Sequence, residues 1–205
     1  DLQEKSKDLE AKWKSEKDKG QANSINQAIK IATGDIVAYI NSDDYFLPNS
    51  FKKVVDYFKN NPNKLWVIGN CQITKKSLKW TFYLKHIWPI HLSRTAMNIF
   101  NTVNQAAVFL TQKLVKKVCL FNRQYKYVFD YDYWLRCLEY DLPGRINIDL
   151  AVFRIHPSSK GNTGFERQFK EDFKVIKKYV TNHFILALHF AILKLTLVVY
   201  KLLKK

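Results

Sequence analysis

The sequence predicts an α/β fold built on a mainly parallel sheet, and three observations carry that expectation. Helix, strand, helix and strand patterns follow one another through about the first seventy residues, the order of α/β units. The run Ile36-Val37-Ala38-Tyr39-Ile40 is apolar without alternation, as in a strand covered on both faces. It leads straight into two adjacent acids, Asp43 and Asp44, beyond the carboxyl end of the strand, where open α/β sheets hold their ligands.

Residues 1–19 are dense in charge and read as helical or loose, with a short extended piece at 11–15. Gly20 opens a helix to about Ala32, with Ala22, Ile25, Ala28, Ile29 and Ala32 at helical spacing. Gly34 is expected to stop it in a left-handed conformation. After the strand at 36–40 and Pro48, Asn49 or Ser50 is placed to cap a helix carrying Phe51, Val54, Val55 and Phe58 on one side. Asn60-Asn61-Pro62-Asn63 reads as a turn, and 65–69 as a strand that 71–73 extends. Residues 80–90 are aromatic and poorly periodic. Short helix patterns cover 111–118 and 131–140, the second with Trp134, Leu135 and Leu138 on one face. Residues 145–156 suggest two short strands or one bent strand, and 165–179 a charged amphipathic helix. The last segment, 182–205, is mostly apolar, with Lys194, Lys201, Lys204, Lys205 and His183 near one helix face.

The chain of 205 residues carries 34 Lys and Arg against 18 Asp and Glu, a net charge of +16. Such an excess attracts an anion: nucleic acid, an anionic membrane surface or a phosphorylated ligand. No nucleic-acid-binding motif is present and the lysines are scattered, so nucleic acid is not an expected partner. Hydrophobic residues at 47% exclude a disordered chain. Cys71, Cys119 and Cys137 are widely spaced without a CxxC pair, which points away from zinc knuckles and disulfide frameworks and toward buried free thiols in a reducing compartment.

Two acids after a strand often only cap a helix or shape a turn. In a basic chain they also suit a hard divalent cation, which takes oxygen from one or two carboxylates and leaves its other positions to water and substrate phosphates. Such a cation cancels the repulsion between carboxylates and a diphosphate.

Several separate segments, in order, then carry a resemblance. They are residues 15–22, Asn26, Ala32-Thr33-Gly34-Asp35, Asn41-Ser42-Asp43-Asp44, Leu47-Pro48, Asn104-Gln105-Ala106-Ala107, 118–122, 129–136 and 154–160. Across residues 13–161 the chain resembles the family 2 glycosyltransferases, nucleotide-sugar-dependent enzymes of the GT-A fold. The resemblance implies that Asp44 ligates Mn²⁺ or Mg²⁺ directly, with Asp43 near the ribose or behind the cation. His156 would complete the metal shell or touch phosphate. Lys19, with Asp18 beside it, matches a donor-binding position, and Lys160 with Ser158 and Ser159 a phosphate-gripping loop. Gln105 falls on the acceptor side. Asp130 matches the catalytic base and Asp132 is a second candidate. Helix neighbours two apart do not share a face, so one of them should reach the acceptor, and Asp130 is preferred. Two positions depart from the family pattern: Asn41 stands where a third acid is common, and Phe129 where the first acid of the base pair usually stands.

Family members carry two further strands ahead of the point where this chain starts, at Asp1. The resemblance therefore implies an N-terminally truncated GT-A domain over 1–164, with the flank of the 36–40 strand left open. A C-terminal amphipathic helical segment follows over 165–205. Its last stretch, broken by Lys194, is expected to lie in plane on an anionic membrane surface at the cytoplasmic face, with a short spanning helix as the alternative. The expectation is an inverting enzyme that moves sugar from a nucleotide-diphosphate donor, first a UDP-sugar, to a saccharide or lipid-linked acceptor in cell-surface polysaccharide synthesis. The alternative is a noncatalytic remnant acting as a basic membrane-bound module.

Overall fold

The computed structural model describes residues 19–75, 78–83, 93–156 and 164–203. The extended piece expected at 11–15, the donor-side residues Asp18, Ser158, Ser159 and Lys160, and the terminal Lys204 and Lys205 lie outside them. Seven α-helices and six strands make up the described chain. They are α1 (Gln21–Ile31), β1 (Ile36–Val37), β2 (Tyr45–Phe46), α2 (Ser50–Asn60), β3 (Trp66–Lys75), β4 (Leu78–Tyr83), α3 (Arg94–Ile99), β5 (Val108–Thr111), α4 (Gln112–Val118), α5 (Phe129–Cys137), β6 (Gly144–Ile155), α6 (Phe165–Tyr179) and α7 (His183–Leu203). A 3₁₀ turn, Gln105–Ala107, leads into β5.

The sheet runs β1-β5-β3-β6-β2, with β4 paired to the far half of β3. Its spine is the parallel pair β3–β6, which runs from Val67↔Gly144 to Lys75↔Ile155 with shifts of register on the way. The remaining described pairings are antiparallel, so the α/β sheet is mixed in direction. β5 and β2 account for much of that, and neither stood out in the sequence. β5 is four residues long, too short to show a period, and β2 is two.

Other local expectations need correction. Gly34 is not in the left-handed region; among the described glycines only Gly20 has a positive φ, at the start of α1. The end of α1 is capped from outside instead, by Gln112 Nε2 donating to the Ala32 carbonyl at 3.1 Å. The strand expected over 36–40 pairs only at Ile36 and Val37, antiparallel to β5. Two residues on, the Tyr39 carbonyl accepts from the Gln105 side chain at 2.6 Å, outside any ladder. On α2 Val54 is buried, whereas Phe51 is 60% exposed and packs against Phe46 at the rim of the sheet. The three thiols are free, but Cys119 is exposed and Cys71 only half-buried.

The larger core wraps α5. Tyr131, Tyr133, Trp134, Leu135 and Cys137 are all buried there, and Trp134 stacks on Trp66 of β3 at 5.9 Å. Helix α7 closes this core through a buried polar contact. His189 Nε2 lies 3.0 Å from Asp172 Oδ1 of α6, and its Nδ1 lies 3.1 Å from the Asn98 carbonyl of α3. A carbonyl only accepts, so Nδ1 carries a proton. Tyr131 of α5 lies parallel to the His189 ring and donates its hydroxyl to the Met97 carbonyl.

The ladder of β3 and β6 shifts register around Gly69, where the side chain of Leu150 presses against the glycine. A Cβ there has no room. Gly69→Ala is expected to destabilise the fold by about 1–3 kcal/mol, read as a lower urea midpoint at unchanged slope.

Candidate functional site

A cleft of about 1260 Å³ opens beyond the end of β1. Its walls come from the first turn of α1, the segment Tyr39 to Asp43, the 3₁₀ turn, the start of α5 and the residue after β6. Lys19, Asp43, Gln105, Asp130 and His156 all line it. Five expected site residues, scattered over more than a hundred positions in the chain, are thus brought to one cavity.

The acidic pair divides between two directions. Asp44 is buried, and both its oxygens have donors: Arg154 N to Oδ1 at 2.9 Å and Asn41 Nδ2 to Oδ2 at 3.2 Å. Burial pushes its pKa up, and these two donors pull it partly back. Asp43 faces the cleft, with Oδ2 2.7 Å from His156 Nε2 and both side chains 37% exposed. The Arg154 guanidinium donates to the Asp43 carbonyl. The end of β6 therefore holds the acid pair through Arg154 from below and His156 from the side.

Amides join the walls of the cleft. Gln21 Nε2 donates to Asn41 Oδ1 at 2.6 Å, and Asn41 Nδ2 donates to Gln105 Oε1 at 3.3 Å as well as to Asp44. Gln105 in turn donates to the Tyr39 carbonyl. Asn41, where a third acid was looked for, is the hub of this chain of bonds. Gln21 lies within the resembling segment 15–22 but has no role marked there, because nothing local signals an amide whose partner is twenty positions away.

Asp130 sits one residue into α5, with Oδ1 accepting from Tyr131 N at 2.8 Å. Burial outweighs that bond and pushes its pKa up to about 6, with the charge of Asp172 adding to the shift. Beside it, the Tyr39 ring stands edge-on to Phe121 at 5.4 Å. Among the described residues the Tyr39 hydroxyl is buried without a hydrogen-bond partner, and burial, then the Asp130 charge, hold its pKa well above the usual value. Asp132 points away from the cleft. Its carboxylate accepts from Arg136 Nε at 3.2 Å and from Tyr179 of α6 at 2.8 Å. Trp134 packs on Trp66, and Arg136 donates to the Val118 and Leu120 carbonyls. Lys19, Arg123 and Lys126 give the rim positive charge.

Among the described residues, no group of three or more His, Cys, Asp or Glu converges as a metal cage. Asp43 and His156 converge as a pair. One carboxylate and one imidazole on a cleft wall fit a divalent cation whose remaining ligands are phosphate oxygens and water, with Asp44 directly behind.

The family model for glycosyl transferase family 2 matches residues 2–125 of the chain. An uncharacterized glycosyltransferase of Methanocaldococcus jannaschii is 29% identical over 139 residues, 62% of this chain and 44% of that protein. Another, from Haemophilus influenzae, is 22% identical over 146 residues, 70% of this chain and 50% of that one. The chain thus spans about half the length of the curated relatives it matches. Among solved structures, S. aureus TarS 1-349 in complex with UDP-GlcNAc superimposes with a TM-score of 0.55 over 76% of this chain and 46% of that one, at 12% identity. That likeness is one of fold: the chain has the α/β architecture of this glycosyltransferase.

The raised pKa of Asp130 has a consequence for stability. An unfolded aspartate titrates near about 3.9, so between about pH 4 and 6 the folded chain holds more protons than the unfolded one. Stability contributed at this site is lost as pH rises through that window. Asp130→Asn removes this poorly solvated charge and is expected to raise stability at pH 7 by on the order of 1–3 kcal/mol. Melting curves of parent and variant should converge below about pH 4.

Proposed function

The chain belongs to glycosyl transferase family 2, and from that premise we propose that it is the cleft-bearing part of an inverting glycosyltransferase that uses a nucleotide-diphosphate sugar. The observation that carries this reading is the convergence of Asp43, His156, Gln105, Lys19 and Asp130 on one cleft, with Asp130 raised to about 6. A carboxylate of that basicity is ionised at neutral pH and still a competent proton acceptor. In the proposed step Asp130 takes the proton of the acceptor hydroxyl. The hydroxyl oxygen bonds to the anomeric carbon as the bond from that carbon to the diphosphate oxygen breaks on the opposite face. One carboxylate suffices, because no covalent sugar–enzyme intermediate forms.

On the donor side, Asp43 and His156 are the residues that would hold Mn²⁺ or Mg²⁺, with Asp44 tying their two segments together by accepting from Arg154 N. A cation held there would supply positive charge against the leaving diphosphate. Lys19 and the basic rim add to the attraction for phosphate. Gln105, between Asn41 and the Tyr39 carbonyl, is placed to orient the acceptor. The UDP-GlcNAc held by TarS supports a UDP-sugar as the first donor to test. A saccharide or a lipid-linked sugar is the acceptor class, and cell-surface polysaccharide synthesis the setting.

Titration calorimetry with UDP and Mn²⁺ tests the reading. Metal-dependent binding is expected, weakened about tenfold or more by Asp43→Ala or His156→Ala and left unchanged by Asp130→Asn. Absence of UDP binding with or without Mn²⁺ overturns it in favour of a noncatalytic basic module. In transfer assays with a UDP-sugar and a saccharide acceptor, Asp130→Asn is expected to lower kcat by about 10²–10⁴-fold. The parent's kcat/KM should rise with pH through a limb near the Asp130 value of about 6.

A further inference from the structure

Helix α7 has two faces of opposite character. Inward, His189 and Leu193 are buried against α6 and α3. Outward, Phe184, Leu188, Leu195, Val198 and Val199 form an exposed apolar stripe, with Phe184 at 77%, Leu195 at 65% and Val198 at 53% exposure. Their spacing of three, four and seven keeps them on one side of a helix of 3.6 residues per turn. Lysines fringe the stripe. Lys194 lies over the Phe190 ring at 5.2 Å, Phe190 packs on Phe173 of α6 at 5.1 Å, and Lys177 lies over Phe173 at 5.1 Å. Among the described residues no helix is long and apolar enough to cross a membrane.

We propose that the outward face of α7 docks on an anionic lipid bilayer, with the helix lying in the plane of the surface and its lysine fringe at the headgroups. The apolar side chains enter the acyl boundary, and the long lysine stems reach back to phosphate. The charge of the chain selects this occupant over a second copy of itself. Two chains of +16 repel on approach, and the fringe would meet its own sign, whereas an anionic bilayer attracts both. The proposal stands on α7 and does not rest on the reading of the cleft.

Sedimentation with vesicles tests it on the full chain. Binding is expected to vesicles of phosphatidylglycerol and phosphatidylcholine, to weaken with salt, and to be much weaker on phosphatidylcholine alone. The double variant L195E/V198E, at exposed positions, is expected to lower partitioning by about tenfold or more. Lys194→Glu should lower it by roughly fivefold or more. Circular dichroism and melting curves matching the parent's would show that these variants fold. No partitioning into anionic vesicles, or partitioning that the folded double variant keeps, overturns the proposal. So does a parent that is dimeric without lipid and made monomeric by L195E/V198E, which would assign the stripe to self-association.

Discussion

Everything at the site depends on a helix that has almost no free side. Helix α5 is buried along nearly its whole length, so it cannot rotate or shift without disturbing the core around Trp66, Phe121 and Tyr133. Two of its first four residues are aspartates, and the structure handles them in opposite ways. Asp132 is satisfied by Arg136 on its own helix and Tyr179 on α6, and so becomes a clamp between helices. Asp130 has a backbone donor and the cleft. Its basicity follows first from desolvation, which its backbone donors offset only in part.

The opposite wall is held by strand pairing. β2 pairs with β6 at Tyr45↔Val152 and Phe46↔Ala151, which carries the residues just before β2 alongside the end of β6. From there the Arg154 backbone reaches Asp44 and His156 reaches Asp43. A two-residue strand is a weak element, but it is enough to fix the register of the acid pair because Ser50 adds a further tie, donating its hydroxyl to the Leu150 carbonyl at 2.7 Å. The inward aspartate is what allows the outward one to stand at a defined place on the cleft wall.

What could be read in the sequence was what depends on runs and on type. Helices α1, α6 and α7 showed themselves by pattern, and β6 as the single strand among the two readings of 145–156. Of the residues that converge on the cleft, the acid at the strand end was conspicuous by its chemistry, whereas Lys19, Gln105, Asp130 and His156 were legible only through the resemblance to family 2 glycosyltransferases. What could not be read was set by distant partners. Gln112 capping α1, Gln105 taking the Tyr39 carbonyl, and the inward turn of Asp44 each join positions dozens of residues apart. Helix α5 was legible as a helix, but not as one buried on nearly every side, because that depends on α6 and α7 packing over it. The same reasoning explains Phe51 and Val55, which have helical spacing yet stand partly exposed.

The C-terminal helix belongs to this scheme rather than standing apart from it. Its inner face presents His189 to Asp172 and lies against Tyr131, the residue next to Asp130. Asp172 is also a contributor to the raised pKa of Asp130. Any force on α7 from outside would therefore bear on the aromatic and hydrogen-bonded packing behind the carboxylate.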